Sequence, residues 1–502
     1  MNYFRIKDRL NKLEANLDGQ SVEFKWTLPT QQDKGFLSSK NSFLLAKELN
    51  QSPQDVAKRL VEELQTTKLQ TSELQNVEFK AEGPFINVYL SSQGLIELLN
   101  SPLKLSALPQ DDKRLMFEYI GANVAKRLHI GHMRNLNIGD ALRRVLSLRY
   151  PNMITDNHWG DWGVQFGILL WAYKQELNQA SFEEDPMNEL QRLYVWGNAQ
   201  EEVAENWAMI VRDEFKRLES GDEENVRLWK MFLKVSKQEL QRDLQLLNVP
   251  NTDLEQGESY YEPWMQELIE FCDENQLWQV DGQARYVDFE QLNTDDWNSL
   301  TAEQKQHISG LGRAYFVSSQ GYTTYVFRDV AARLQWAHEH NIDLAVTLTD
   351  NRQQHNFNQA FAFIAYLAQT DQFKQKWGQN TSNRLGLNNL LHVDYGRLSL
   401  TSGSLSSRSG SLLQLETAYK TVYQSVRREF EQRELTASKD KLSAMTVAAL
   451  KWKDLKTDPN TDIVIDPNEI VNFEGDTGVY QLYTNVRLKG ILENTATMIN
   501  IN

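Results

Sequence analysis

The chain has 502 residues, 41% of them apolar and 24% charged, with a formal net charge of −15, the balance of a globular protein of several domains. No apolar run is long enough for a membrane span, the N-terminus Met1-Asn2-Tyr3-Phe4 lacks a secretory apolar core, and the lone Cys272 excludes an intrachain disulfide or a cysteine-rich zinc site. A cytoplasmic protein is expected. The acidic excess is local, since residues 176–303 carry well over twice as many acids as bases, so the total does not exclude a nucleic-acid partner.

Residues 1–108 read as an α+β unit. Phe43–Leu49 and Val56–Leu64 have helical apolar spacing, and Phe79–Leu90 reads as strand. Ser101–Asp112 is a polar, proline-bearing linker. Leu115–Tyr119 predicts a buried strand, broken by Gly121. His129-Ile130-Gly131-His132 opens a helix that places Ile138, Ala141, Leu142, Val145 and Leu146 on one face. Tyr150-Pro151-Asn152 stops it, and Met153–Thr155 predicts the next strand. Strand, helix, strand begins a nucleotide-binding α/β unit. A helix start offers free N–H groups and partial positive charge to phosphate. His129 and His132 can donate hydrogen bonds there, and Gly131 lets a flat base approach the backbone. Alone, the four residues fit two structural histidines equally well. Asp156-Asn157-His158 ends the second strand, and the turn Gly160-Asp161-Trp162-Gly163 is expected to face the same crevice, beyond the strand C-termini.

From Leu169 to Gly310 the sequence is mostly helical, acidic and rich in core-type tryptophans (Trp196, Trp207, Trp229, Trp264, Trp278), with a short strand at Arg285–Asp288. Its carboxylates lack EF-hand spacing and read as a solvated face. Tyr325–Ala332 predicts a strand running into a helix, with Tyr325 and Asp329 sharing a face where the turn is helical. Leu344–Leu348 is a strand, and Thr349–His355 follows at its C-terminal end. His392–Gly396 is read as following an apolar strand. Leu398–Gly410 has the composition of a Ser/Gly-rich linker. Leu413, Leu415, Ala418 and Val422 have near-helical spacing, Val447–Lys451 is another helix, and Asp462–Asp466 is strand or extended link. Tyr480, Tyr483 and Arg487 share one helical face, usually a sign of core aromatics.

Glu118 with Asn123, the run Asn123-Val124-Ala125-Lys126, the histidine signature and Gly160-Asp161-Trp162-Gly163-Val164-Gln165-Phe166-Gly167 together resemble the class I aminoacyl-tRNA synthetases, and among them the arginyl-tRNA synthetases. The likeness is strongest at 117–167 and moderate at 322–357 and 447–487. It implies an α/β fold with a Rossmann-like catalytic domain in two halves, 109–168 and 313–411, separated by a helical acidic insertion, 169–312. It further implies an additional N-terminal domain, 1–108, that touches tRNA and closes with Gly83-Pro84-Phe85-Ile86-Asn87. A helical stem-contact region, 412–475, and the first helix of an anticodon-binding bundle, 476–502, complete it. Family members carry about a hundred further residues, one small domain by size, so most of that bundle is expected to be missing after Asn502.

The resemblance also implies a reaction: ATP activates L-arginine to arginyl-adenylate, and the arginyl group passes to tRNA(Arg). ATP would meet His129, Ile130, Gly131, His132, Gly160, Asp161, Gly163, His392, Ser406 and Ser407. Arginine would meet Glu118, Asn123, His132, Tyr325, Asp329 and Gln353. These are suitable types, because a planar, permanently charged five-donor guanidinium calls for carboxylates and polar acceptors. On pattern alone, Asp329 fits equally well as a partner of Arg328 or a helix cap; the family pattern around it favours the arginine site. Tyr480, Tyr483 and Arg487 would meet tRNA. Ser404-Leu405-Ser406-Ser407-Arg408 stands where the family's mobile loop has a Lys-Met-Ser-Lys-Ser core, so both lysines are missing. Lys126, at the position that takes over the second lysine's charge in family members lacking it, and Arg408 are the candidate cations. Mg2+ would travel with ATP rather than in a protein metal site. A monomer with no membrane partner is expected. Rival readings are a class I enzyme for cysteine or leucine, a small nucleotidylyltransferase, and a synthetase-like RNA-binding or interaction protein. The absent zinc cysteines, the acidic Glu118 and Asp329, and the chain length oppose the first three. The missing loop lysines and bundle favour the last, which the intact histidine signature opposes.

Overall fold

The computed structural model describes residues 9–29, 34–69, 74–100, 110–202, 206–292, 297, 300–400, 413–466 and 469–496. They fall into two compact units, Met1–Pro109 and Gln110–Asn502.

The first unit begins with an antiparallel hairpin, β1 (Glu14–Leu17) and β2 (Gln20–Glu23). β3 (Leu37–Ser39), helices α1 (Asn41–Leu49) and α2 (Pro53–Leu69), strands β4 (Val77–Glu82) and β5 (Phe85–Leu90), and helix α3 (Ser92–Asn100) follow. The expected single strand Phe79–Leu90 is thus two, because Gly83 at φ +60° and Pro84 turn the chain back on itself. The sheet runs β3-β5-β4, all antiparallel. Val56, Leu60 and Leu64 of α2 share its core with Phe79, Ile86 and Val88.

The second unit is built on a four-stranded parallel sheet of β6 (Leu115–Glu118), β7 (Ile154–Asp156), β11 (Leu344–Asp350) and β12 (Leu390–Tyr395), in the order β12-β11-β6-β7. The chain steps from β6 to β7 on one side and later to β11 on the other, so a topological switch point lies between β6 and β11. Helix α4 (Ile130–Arg149) links β6 to β7. Its first half is buried all round, from Met133 to Asp140, and the expected apolar stripe fails at Val145, which is 62% exposed.

Helices α5 (Val164–Glu176), α6 (Gln179–Glu184), α7 (Pro186–Ala199), α8 (Trp207–Glu219), α9 (Glu223–Leu246) and α10 (Glu262–Asn275) follow β7. A small antiparallel sheet of β8 (Gln279–Asp281), β9 (Ala284–Asp288) and β10 (Arg313–Val317) encloses α11 (Ala302–Ser309) in sequence. Tyr325 to His338 is helical throughout, as α12 (Tyr325–His338), with no strand at its start. Phe327, Val330, Ala331 and Leu334 are buried at helical spacing, and that tertiary burial overrides the strand preference of Tyr325-Val326-Phe327. α13 (Gln354–Gln369), α14 (Asp371–Trp377) and α15 (Gln379–Arg384) lie between β11 and β12. His392 lies within β12 rather than after it.

β13 (Leu398–Leu400) pairs in parallel with β14 (Ile463–Ile465), and between them come α16 (Leu415–Gln432) and α17 (Lys439–Leu455). The last helix, α18 (Gly478–Ala496), crosses α17 where a Cβ on Gly478 would overlap the Ala448 backbone. One apolar cluster joins Leu115 and Phe117 to Phe232, Val422 and Val479, so the acidic insertion and the C-terminal helices share a core with the sheet.

Arg134, buried in α4, fastens this assembly. Its guanidinium donates to the carbonyls of Gly396 (2.7 Å), Thr461 (2.7 Å) and Asp458 (3.2 Å) and pairs with Asp454 at 3.2 Å. Burial raises Asp454 to about 6 against the opposing help of Asn137 and Arg134. Replacing Arg134 by Met is expected to cost about 3–5 kcal/mol by leaving an uncompensated buried charge. Urea unfolding should show that loss, and adding Asp454→Asn should recover part of it.

Candidate active site

A polar row crosses the sheet at the switch point. Register places His392, Thr347, Glu118 and Asp156 side by side on β12, β11, β6 and β7. Glu118 and Asp156 are the last residues of their strands, while Thr347 and His392 lie in the middle of theirs. After Glu118 the chain turns sharply, with Ile120 at φ +86° and Gly121 at φ +59°. A positive φ is costly for a β-branched residue, and Asn135 in α4 holds the Ile120 carbonyl at 3.3 Å.

Glu118 and Asp329 meet on one guanidinium. Arg333 Nη2 donates to Glu118 Oε2 at 2.6 Å, and Nη1 donates to Asp329 Oδ1 at 2.9 Å. Thr347 Oγ1 accepts from Arg333 at 2.6 Å and donates to Glu118 Oε2 at 2.8 Å. All three charged side chains are buried. Burial alone would raise Glu118, but Arg333 and then His158 hold it below its ordinary value. Burial pushes Asp329 up to about 7 in spite of Arg333, with the charge of Glu118 adding to the rise. Asp329 thus pairs with Arg333, not with its neighbour Arg328, which instead meets Glu258 at 2.8 Å. Tyr325 is 51% exposed as a residue, yet its hydroxyl is crowded enough that burial and the charges of Asp329, Glu258 and Glu118 raise its pKa and keep it protonated. Asp156 is raised by burial to about 8, and His158, stacked on Tyr261, is lowered by burial to about 4.

The histidine signature is placed differently from the expectation. All four backbone amides from His129 to His132 have partners: His132 Nδ1, the Leu413 carbonyl, His129 Nδ1 and the His129 carbonyl. Free helix N–H groups are therefore not what this end offers. Each imidazole accepts at Nδ1 (3.1 Å), which leaves Nε2 as the protonated donor. The rings lie 3.8 Å apart. Burial lowers His132 to about 3, aided by His129 and Lys126, and burial with Arg352 lowers His129. Both are neutral donors at physiological pH. Gly131 makes room for the His129 ring, since a Cβ would lie 2.8 Å from its Cε1. Lys126 is exposed, with its ammonium 4.9 Å from the centre of the Tyr194 ring.

Gly160 bridges to Asn123, whose side chain a Cβ would strike. Gly163, at φ +114°, starts α5. Asp161 is not a free ligand: its buried carboxylate accepts from Ser259 N (2.9 Å) and Oγ (2.7 Å). His392 is also engaged, 2.7 Å from Thr349 Oγ1 and stacked on Phe357. Gln353 is half-buried in the turn after β11 and accepts from Asn356. Tyr480 and Tyr483 are 37% and 41% exposed on α18, not core aromatics, and Arg487 donates to the Tyr483 hydroxyl at 3.2 Å. Ser406, Ser407 and Arg408 lie outside the described residues. The chain beyond them is anchored at the signature, as Ile130 N donates to Leu413 O and Leu415 N to Leu128 O, both at 2.9 Å.

Sequence reasoning missed Arg333, Thr347, Glu258 and Arg352. Arg333 stands four residues after Asp329, a helical spacing obscured by reading the segment as strand. Arg352, held by Asp350, is felt electrostatically at His129 and adds a cation to that end.

Comparison with known proteins gives concordant matches. The family described as "tRNA synthetases class I (R), catalytic domain" matches residues 95–466, and "Arginyl tRNA synthetase N terminal domain" matches residues 5–90. The chain is 30% identical to an arginine–tRNA ligase of Streptococcus uberis and 29% to one of Streptococcus thermophilus, each over 498 residues, 97% of this chain and 81% of the relative. Its fold is similar to the Thermus thermophilus arginyl-tRNA synthetase (TM-score 0.69, 19% identity, 94% of this chain and 79% of that one). A Plasmodium falciparum arginyl-tRNA synthetase gives a TM-score of 0.68 at 22% identity, over 99% and 79%.

The burial of His132 and His158 has a spectroscopic consequence. Their ring resonances should not titrate between about pH 5 and 8, with protonation seen only toward about 3 and 4. Sign follows: the depressed values contribute stability above the unfolded-state value, lost as pH falls toward the folded ones. Histidine-selective NMR across that range is the check.

Proposed function

Because this chain belongs to the class I arginyl-tRNA synthetase family, we propose that the crevice at the β6–β11 switch point holds arginine at its acidic end and ATP at its histidine end. The activity is that of an arginine–tRNA ligase, with arginine, ATP and tRNA(Arg) as substrates. One observation carries the residue assignment. Two buried carboxylates, from a strand end and a helix, converge at one point of that crevice.

Glu118 and Asp329 hold the substrate guanidinium, with Tyr325 beside them, while Asn123 and Gln353 serve the α-amino and carboxylate groups. Arginine's carboxylate oxygen attacks the α-phosphorus, the bond to the bridging oxygen of pyrophosphate breaks, and arginyl-adenylate forms. The ribose hydroxyl of the terminal adenosine of tRNA then attacks the acyl carbon, and AMP leaves. No protein nucleophile takes part. Positioning and stabilisation of developing charge supply the rate. His129 and His132 donate from neutral Nε2–H groups to the phosphate oxygens. Lys126, Arg352 and Arg408 supply positive charge where the loop lacks lysine. These donors suit phosphate oxygens rather than a metal, so Mg2+ enters on the phosphates of ATP. The N-terminal unit and the exposed Tyr480, Tyr483 and Arg487 face tRNA, and the protein works as a cytoplasmic monomer.

Arginine-dependent charging of tRNA(Arg), with ATP–pyrophosphate exchange in its presence, tests this reading. His132→Ala should lower the rate by about 10²–10³-fold, the loss typical of one preorganised donor. Asp329→Asn should raise the KM for arginine and leave that for ATP unchanged. Charging that survives His132→Ala intact would remove the mechanism. The loop without lysines favours a second reading, an RNA-binding protein with impaired catalysis, and tRNA binding without arginyl transfer would be its signature.

A further inference from the structure

Arg333 is the buried partner of both carboxylates proposed to hold arginine. Its side chain is 0% exposed, and its guanidinium carbon sits 4.6 Å from the Trp336 ring centre, 5.5 Å from Phe357 and 5.6 Å from Phe361. It takes only one oxygen of each carboxylate. Glu118 Oε1 and Asp329 Oδ2 have no hydrogen-bond partner among the described residues, and neither is among the polar atoms sealed from solvent.

We infer that Arg333 is a positioning and specificity-determining residue for arginine: it clamps one oxygen of Glu118 and one of Asp329 so that the other two are fixed for the substrate's guanidinium. This rests on the reading of Glu118 and Asp329 as arginine ligands. Geometry supports it first, because two carboxylates on different elements are held at one guanidinium's width before any ligand arrives. Charge supports it next. Two carboxylates face one internal cation, so the cluster lacks one positive charge, which an incoming guanidinium supplies and a neutral ureido group does not.

Most surrounding titratable groups are neutral near pH 7. His158 and His392 are lowered by burial, and Asp156 is raised by it to about 8. The hydroxyls of Tyr261 and Tyr325 stay protonated. Glu258 is raised by burial to about 8 in spite of Arg328 at 2.8 Å, so near pH 7 the Arg328 guanidinium is a second cation close by, seated on Glu258 rather than on the two clamped carboxylates. The rise of Asp329 to about 7 marks the carboxylate short of a partner. Arginine affinity should therefore grow with pH as Asp329 ionises, and removing Arg333 should move that growth to higher pH, since a carboxylate without its cation ionises later.

Calorimetric titration of the full chain with arginine, citrulline and ATP tests this. In Arg333→Met, arginine should bind about tenfold or more weakly at pH 7, with the pH rise displaced upward, arginine preferred less over citrulline, and ATP affinity unchanged. Arg333→Lys keeps the charge without the two-armed fork. It should leave the pH rise where the wild type has it while weakening arginine, and it carries the test should the methionine variant not fold. Tighter arginine binding in Arg333→Met would overturn the inference, making Arg333 a competitor for the site. Equal loss for arginine and citrulline, or unchanged arginine affinity in both variants, would also overturn it. Asp329→Asn separates this from the underlying assignment: unchanged arginine binding there removes the pocket itself.

Discussion

The ion pairs from one buried guanidinium to two carboxylates are the constraint on which the site's geometry depends. Glu118 ends a central strand, Asp329 lies in a helix more than two hundred residues later, and Thr347 sits on the strand next to Glu118. Nothing in backbone hydrogen bonding alone brings that helix face into register with the sheet. Arg333 does so through contacts of 2.6–2.9 Å to all three. Burying such charges is expensive, and a purely apolar contact would hold the helix at least as firmly. The arrangement makes sense where charge is needed, at the meeting of strand ends where ligands bind.

The other end of the crevice is organised on a different principle. His129 and His132 spend their Nδ1 atoms on backbone amides and so are fixed in tautomer and direction. They are neutral and half-buried, so they act as oriented dipoles rather than as charges. Such donors cost no reorganisation when negative charge builds on phosphate. The full positive charges, Lys126 and Arg352, are exposed to solvent. Fixed dipoles inside and solvated cations outside is a division that burial energetics favours, since an ammonium loses far more than an imidazole on leaving water.

Much of this was legible in the amino-acid sequence, for identifiable reasons. The strand Leu115–Glu118, the helix from Ile130 and the strand from Leu344 announce themselves by apolar spacing and by the glycine and proline residues around them. The residues at their junctions carry a family pattern, so Glu118, Asp329 and the histidine pair could be named. What was not legible depended on partners distant in sequence. Tyr325-Val326-Phe327 favours strand locally and becomes helix only through burial against α13 and the sheet. The partner of the Ile130 amide at the signature is the Leu413 carbonyl, nearly three hundred residues away. Asp161 looks like a glycine-loop ligand until Ser259 is seen to occupy it. Arg333 is an unremarkable helical arginine until Glu118 is placed beside it.

Arg134 has a bearing on motion. A guanidinium seated on four carbonyls from two separate stretches resists sliding in every direction, because each donor is directional and no solvent stands ready to replace it. The helix that begins with the histidines and the stretches at Gly396 and Asp458–Thr461 must therefore translate together. A push on the C-terminal helices reaches the imidazoles of His129 and His132 as a shift of the whole rod, not as a bend within it. The two ends of this half of the molecule behave as one strut.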